Sequence, residues 1–319
     1  MAGAVASIEI VSAGLQTTIQ DLGRFGFGHY GIPPSGALDS FALRIANLLV
    51  GNPEGHAGLE TTLMGLRFKA RADVLIAVTG ADLQPQIDRQ AIKRWCSRIL
   101  KKGEILSFVG PKSGCRAYVA FGGKLNIMPL LGSRSTNLPA AFGGLKGRSL
   151  QKGDIFLIED PASQFAAEGR SFEVRGRHLQ SDIWTLRIIW GPQDNDFGKD
   201  ALHTFVNSQF TVSPQSDRAG IRLNGPLIQR KSNAAESIIS EGIISGSIQV
   251  PGDGQPIIIL GETVTGGYRK IATVITADLP LTGQIKPGDK IQFQAVTLKD
   301  ARRHLRIQQD MIEEFKRGF

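Results

Sequence analysis

The chain has 319 residues, is 41% hydrophobic and 7% aromatic, and so can bury a core without disulfide or metal staples. Its formal charge of +8 comes from basic residues in short scattered groups without aromatic interleaving, which argues against nucleic-acid binding and for a small anionic substrate or an acidic protein partner. No apolar run approaches the roughly 18 residues of a membrane span and no charged-then-apolar leader opens the chain, so no membrane role is expected and the expected location is cytoplasmic.

Most of the chain reads as strand. Short β-branched and aliphatic runs near 8–11, 74–79, 105–109, 117–121, 155–158, 186–190, 257–260, 271–276 and 291–296 are separated by Gly, Pro, Asn and Asp. Such regular spacing predicts barrels or sandwiches. Two helices interrupt it. One is expected over about 39–50, with Asp39 as its cap and Phe41, Ala42, Ile45, Ala46 and Leu49 as one apolar stripe, stopped at Gly51-Asn52-Pro53. The other is expected over about 298–315, with Ala301, Leu305, Ile312 and Phe315 on one face. A turn-then-strand pattern recurs at Lys101-Lys102-Gly103-Glu104, Gln151-Lys152-Gly153-Asp154 and Lys286-Pro287-Gly288-Asp289. The second and third copies would each close one half of the chain. The polar stretch 162–181 reads as a linker, giving domains over 1–165 and 183–319.

Metal and nucleotide motifs are missing. The five histidines are dispersed, Cys96 and Cys115 lack CxxC spacing, and no P-loop or dinucleotide fingerprint occurs. No metal is expected, and the two thiols are expected to be reduced.

Five segments carry candidate chemistry. In Gln20-Asp21-Leu22-Gly23-Arg24, an amide, a carboxylate and a guanidinium adjoin a Gly/Pro loop containing Ser35. They form either a carboxylate- or phosphate-binding group or a structural set. Asp82 ends Thr79-Gly80-Ala81-Asp82 as a site residue or a turn former. Gly132-Ser133-Arg134-Ser135-Thr136 has the composition of an anion nest, the alternative being a solvated loop. Ser216-Asp217-Arg218 reads as a neighbouring ion pair or as a site arginine. Gly246 to Tyr268 sets Gln249, Asp253 and Gln255 before one apolar strand and Thr265, Gly266 and Tyr268 after it. Glycines there let a backbone approach a ligand.

Together these motifs resemble the allophanate hydrolase subunit 2 and biotin-dependent carboxyltransferase family, most closely its 5-oxoprolinase branch. The resemblance spans about residues 8–296. It implies two tandem cyclophilin-like β-barrels and a homologous first subunit as partner, with a lactam-hydrolase third subunit in the 5-oxoprolinase type. It implies ATP, bound by this chain or at a site shared with its partner, for opening 5-oxoproline to glutamate. One alternative is a carboxyltransferase subunit of the urea carboxylase type, with biotin arriving in trans. Another is a non-catalytic antagonist of a histidine-kinase inhibitor. The expectation is a subunit inactive alone, in which Arg24, Arg134 and Arg218 hold an anionic intermediate. Gln249, Asp253 and Gln255 are the expected catalytic set. Gln20, Asp21, Ser35, Asp82, Gly132, Ser133, Ser135, Thr265, Gly266 and Tyr268 are expected to complete the ligand site. One departure stands out. Where the family carries an Asp-Arg-Gln type run, this chain has Gly261-Glu262-Thr263-Val264, and Arg269 follows Tyr268 in place of the usual Pro. The expectation is a missing charge partner, or its replacement by Arg269.

Overall fold

The computed structural model describes residues 5–174, 183–232, 234 and 237–318. The chain divides into two units: residues 1–24 with 35–180, and residues 25–34 with 181–319. The excursion 25–34 thus groups with the second unit, although the sequence places it inside the first.

The first unit contains strands β1 (Val5–Ala13), β2 (Gln16–Gln20), β3 (Gly58–Thr62), β4 (Leu66–Ala70), β5 (Val74–Asp82) and β6 (Pro85–Ile87). They continue as β7 (Gln90–Ala91), β8 (Ser97–Leu100), β9 (Ile105–Phe108), β10 (Ser113–Phe121), β11 (Lys124–Leu125) and β12 (Ile155–Glu159). One sheet runs β11-β12-β1-β4-β9-β6-β7 and the other β2-β3-β10-β5-β8. They share one core, to which Ile8, Phe68 and Phe156 come from the first sheet and Ile19, Val78 and Val119 from the second. β4 alternates buried and exposed residues, as a strand with one wet face does. β10 is buried along its whole length, because helix α1 (Ser40–Leu49) covers the other face of its sheet. Asp39 caps α1 by accepting from the Ala42 amide at 3.0 Å, and the five expected stripe residues are all buried.

The stretch read as a linker begins as a 3-10 helix, Pro161–Ala167, and then packs on the first unit. The Phe172 amide donates to the Trp95 carbonyl, and the two rings lie 5.9 Å apart. Aromatic burial holds this segment despite its polar composition. The rest of the stretch, 175–181, lies outside the described residues.

The second unit has strands β13 (Ile183–Trp190), β14 (Gln209–Val212), β15 (Gly220–Asn224), β16 (Glu241–Gly242), β17 (Ser247–Val250), β18 (Ile257–Ile259), β19 (Thr265–Gly266), β20 (Arg269–Val274) and β21 (Lys290–Ala295). Helices α2 (Lys199–Asn207), α3 (Leu279–Thr282) and α4 (Leu298–Arg317) accompany them. Seven strands close a barrel in the order β13-β20-β17-β18-β15-β14-β21. Phe205, Phe210 and Phe293 pack together, the closest centroids 4.5 Å apart. The all-β class with few helices therefore holds. Closure into a barrel is seen in this second unit, whereas the first is built from two sheets.

The recurring turn has a physical basis. Gly103, Gly153 and Gly288 all have φ near +90°, open to glycine at little cost. In each copy the acidic residue that follows accepts at its carboxylate from the first turn amide, at 2.8, 2.7 and 3.0 Å. Each turn then launches a strand: β9, β12 or β21.

Candidate functional site

In the first unit the Gly132–Thr136 loop folds around the chain's own carboxylate. Asp21 follows the end of β2. Its Oδ1 accepts from the Gly23 amide at 2.8 Å and from the hydroxyls of Ser133 and Ser135 at 2.6 and 2.5 Å. Its Oδ2 accepts from the Arg134 amide at 2.5 Å. The predicted nest thus encloses an anion, and that anion is Asp21. The Arg134 side chain turns away and donates from Nε to the Ile127 carbonyl at 2.8 Å.

Arg24 is 2% exposed. It donates to Ser35 Oγ at 3.0 Å and to the Ser135 carbonyl, and its guanidinium stacks 4.7 Å from the Phe142 ring centroid. Ser35 also accepts from Asn137 Nδ2 at 3.0 Å. Gln20 donates to Thr18 Oγ1 and to the Thr136 carbonyl, while its Oε1 is buried without a partner among the described residues. The structure therefore brings Gln20, Asp21, Arg24, Ser35 and 133–135 together as one bonded cluster, with Gly132 exposed at its edge. Asp82 stands apart. It ends β5 and does not follow it, accepts from the Gln84 amide at 3.0 Å, and pairs with Arg94 at 3.4 Å.

In the second unit, Arg218 and Glu262 form a buried ion pair, Nε to Oε1 at 3.1 Å. Asp217, the neighbour expected to pair with Arg218, instead accepts from the amides of Ala219 and Gly220. Arg269 donates from Nε to Asp196 at 2.6 Å. So the stretch 261–264 supplies a carboxylate, and Arg269 has its own acid.

Gln249 on β17 is 3% exposed and donates to the Tyr268 carbonyl at 3.2 Å. This ties β17 to the Thr265–Tyr268 segment, where Thr265 is exposed and Tyr268 is 42% exposed. Gln255 clamps the Gly225 backbone, accepting from its amide at 2.9 Å and donating to its carbonyl at 3.1 Å. Asp253 is exposed at the tip of the β17–β18 turn and accepts from the Gln255 amide at 3.0 Å. Of the expected catalytic residues, Asp253 lines a cavity. That cavity measures about 290 Å³, and its walls include Phe197, Val250, Arg230, Lys231, Asp253 and Arg269.

Several residues here have no counterpart among the sequence-based expectations. Lys270 beside Arg269 is 7% exposed, and its ammonium donates to Glu241. That bond and one from Gln193 at 2.8 Å hold the Glu241 carboxyl below the usual range, the Lys270 bond foremost. Arg230 and Lys231 line the cavity. Their adjacency in sequence, with the Gly-rich turn that carries Asp253, is the local signal for that site. The Glu262 and Lys270 partners lie tens of residues away in sequence.

The comparisons agree with this architecture. The family model for the carboxyltransferase domain, subdomains A and B, matches residues 30–295. Over 310 residues the chain is 36% identical to the 5-oxoprolinase C-subunit of Escherichia coli (strain K12), covering 96% of this chain and 97% of that protein. It is 34% identical to a putative urea carboxylase of Emericella nidulans, covering 93% of this chain but 25% of the relative. The crystal structure of the K. lactis urea amidolyase superposes with a TM-score of 0.88 at 30% identity, over 97% of this chain and 20% of that one. The chain belongs to the carboxyltransferase domain family.

Proposed function

We propose that this chain is one subunit of an ATP-dependent 5-oxoprolinase-type complex that opens 5-oxoproline to glutamate, and that it is inactive alone. The supporting observation is the end-to-end match to a free-standing 5-oxoprolinase subunit from Escherichia coli, 96% of one chain against 97% of the other. An amide is a poor electrophile. Phosphorylating the lactam oxygen activates its carbon, water adds there, the ring C–N bond breaks, and a second water releases phosphate. ATP therefore acts as substrate of the complex. A cavity of about 290 Å³ lies just under the ~300–1,000 Å³ range for small-molecule sites. That size suits a small acid, and the sequence carries no P-loop, so we assign ATP to other subunits or to a surface shared with them. Here Asp253 contributes a carboxylate to the cavity wall, and Gln255 fixes the turn that carries it.

The second reading is a carboxyltransferase half that receives carboxyl from biotin carried on another protein. The TM-score of 0.88 to the urea amidolyase structure favours it. Reconstitution separates the two. The chain is combined with a homologous first subunit and a lactam-hydrolase subunit, and glutamate release from 5-oxoproline is followed with and without ATP. ATP-dependent release that disappears when this chain is omitted supports the hydrolase reading. Activity only with a biotin carboxylase and a biotinylated carrier supports the second reading. Robust activity of the isolated chain overturns the assignment to a multi-subunit complex.

A further inference from the structure

We infer that the cavity beside the β17–β18 turn binds a small ligand bearing a carboxylate or phosphoryl group, held by Arg230 and Lys231. The inference deepens the reading under Proposed function and rests on it for the small acid, while the geometry of the second unit alone places the two cations.

The wall is lined by three cations, Arg230, Lys231 and Arg269, and one carboxylate, Asp253. Among the described residues, one of these four charges, Arg269, has a charged internal partner. Arg269 is paired with Asp196, and Asp253 holds the Gln255 amide. The other two keep donors to spare. Arg230 donates from Nε to the Ala234 carbonyl at 3.2 Å, and its two terminal amino groups have no partner among the described residues. Lys231 spends one of its three ammonium hydrogens on the Asn195 carbonyl at 2.6 Å. Both residues are positioned by backbone. The Lys231 amide donates to the Asp196 carbonyl at 2.9 Å, and Arg230 bridges to Phe197. A planar amino pair of this kind matches the two oxygens of a carboxylate or phosphoryl group, and the ammonium adds a point charge.

The surroundings strengthen the pull. Phe197, Ile228 and Val250 are 3%, 1% and 6% exposed and form the apolar part of the wall, which lowers the local dielectric and favours charge pairing. Gly252 and Asp253 also line the cavity, on an exposed turn, and their amides have no acceptor among the described residues. The cavity volume suits a small molecule.

The test is calorimetric titration of the isolated full chain, at low salt, with three separate probes: inorganic phosphate, L-glutamate and 5-oxoproline. We expect saturable one-site binding of at least one probe. It should weaken about tenfold or more in Arg230→Gln and in Lys231→Met, the loss of a charged hydrogen bond, and stay unchanged in Lys152→Met, an exposed lysine of the first unit. Preference for phosphate assigns the site to a phosphoryl ligand, and preference for either organic acid to a carboxylate. Arg230 and Lys231 lie at the surface, and unchanged melting temperatures verify that their variants fold. No saturation with any probe, or equal weakening by Lys152→Met, or wild-type binding by both cavity variants overturns the inference. Turnover is not the readout, so failure of the 5-oxoprolinase reading leaves this test intact.

Discussion

Arg218 and Glu262 meet in the second unit with their side chains only 4% and 0% exposed, Nε 3.1 Å from Oε1. Glu262 stands in the stretch 261–264, which thus supplies one half of a charge pair inside the barrel unit. Removing one partner of a buried pair strands the other charge. Glu262→Ala should therefore cost about 3–5 kcal/mol, whereas an apolar pair, Arg218→Met with Glu262→Leu, should recover most of that loss. Urea denaturation of the three proteins checks this. A single variant as stable as wild type would contradict it.

Asp21 accepts from four donors, three of them in 133–135 and the fourth the Gly23 amide. Asp21→Ala leaves two amides and two hydroxyls without their acceptor, and should destabilise the first unit by about 2–4 kcal/mol. Hydrogen exchange at the Arg134 and Ser135 amides should accelerate in the variant. Unchanged protection there would show that the loop does not depend on this carboxylate.

Gly266 leaves room for Gln249. A Cβ at position 266 would lie 2.4 Å from Gln249 Nε2, which must swing off the Tyr268 carbonyl. Gly266→Ala should cost about 1 kcal/mol, the worth of that hydrogen bond. In the double variant with Gln249→Ala, the two costs should fall short of additivity, since both remove the same contact. Melting temperatures of the four proteins close the cycle, and strict additivity would refute the coupling.

His56 in the first unit is held below its ordinary pKa by burial first, then by the charges of Arg134 and Lys124, against a raising bond with the Gly123 backbone. Below about pH 6.5 the unfolded chain takes up a proton that the folded chain resists. Stability should thus fall as pH drops from 6.5 toward the depressed folded value. His56→Gln should flatten that fall between pH 7 and 5. Chemical denaturation at three pH values measures it, and parallel profiles for both proteins would exclude His56 as a source.

Local order is legible along the chain. The α1 stripe with its Asp39 cap, the run of short strands and the three Gly-acid turns are written in neighbouring residues, and neighbours suffice to set a helix face, a cap or a positive-φ turn. The family is legible because its motifs are contiguous. Site roles are less so. Gln20–Arg24 and Gly132–Thr136 are chemically loaded by composition, yet composition alone does not distinguish a nest open to a ligand from one closed on Asp21.

What the sequence alone determined is therefore the class of fold, the local elements and the family, all carried by short-range pattern. Tertiary structure decided the charge partners: Glu262 for Arg218, Asp196 for Arg269, Glu241 for Lys270. It also left Arg230 and Lys231 with donors beside a cavity. The reason is geometric. Hydrogen bonds and ion pairs form over about 3 Å of space, and strand pairing sets such distances between residues that lie tens of positions apart in sequence.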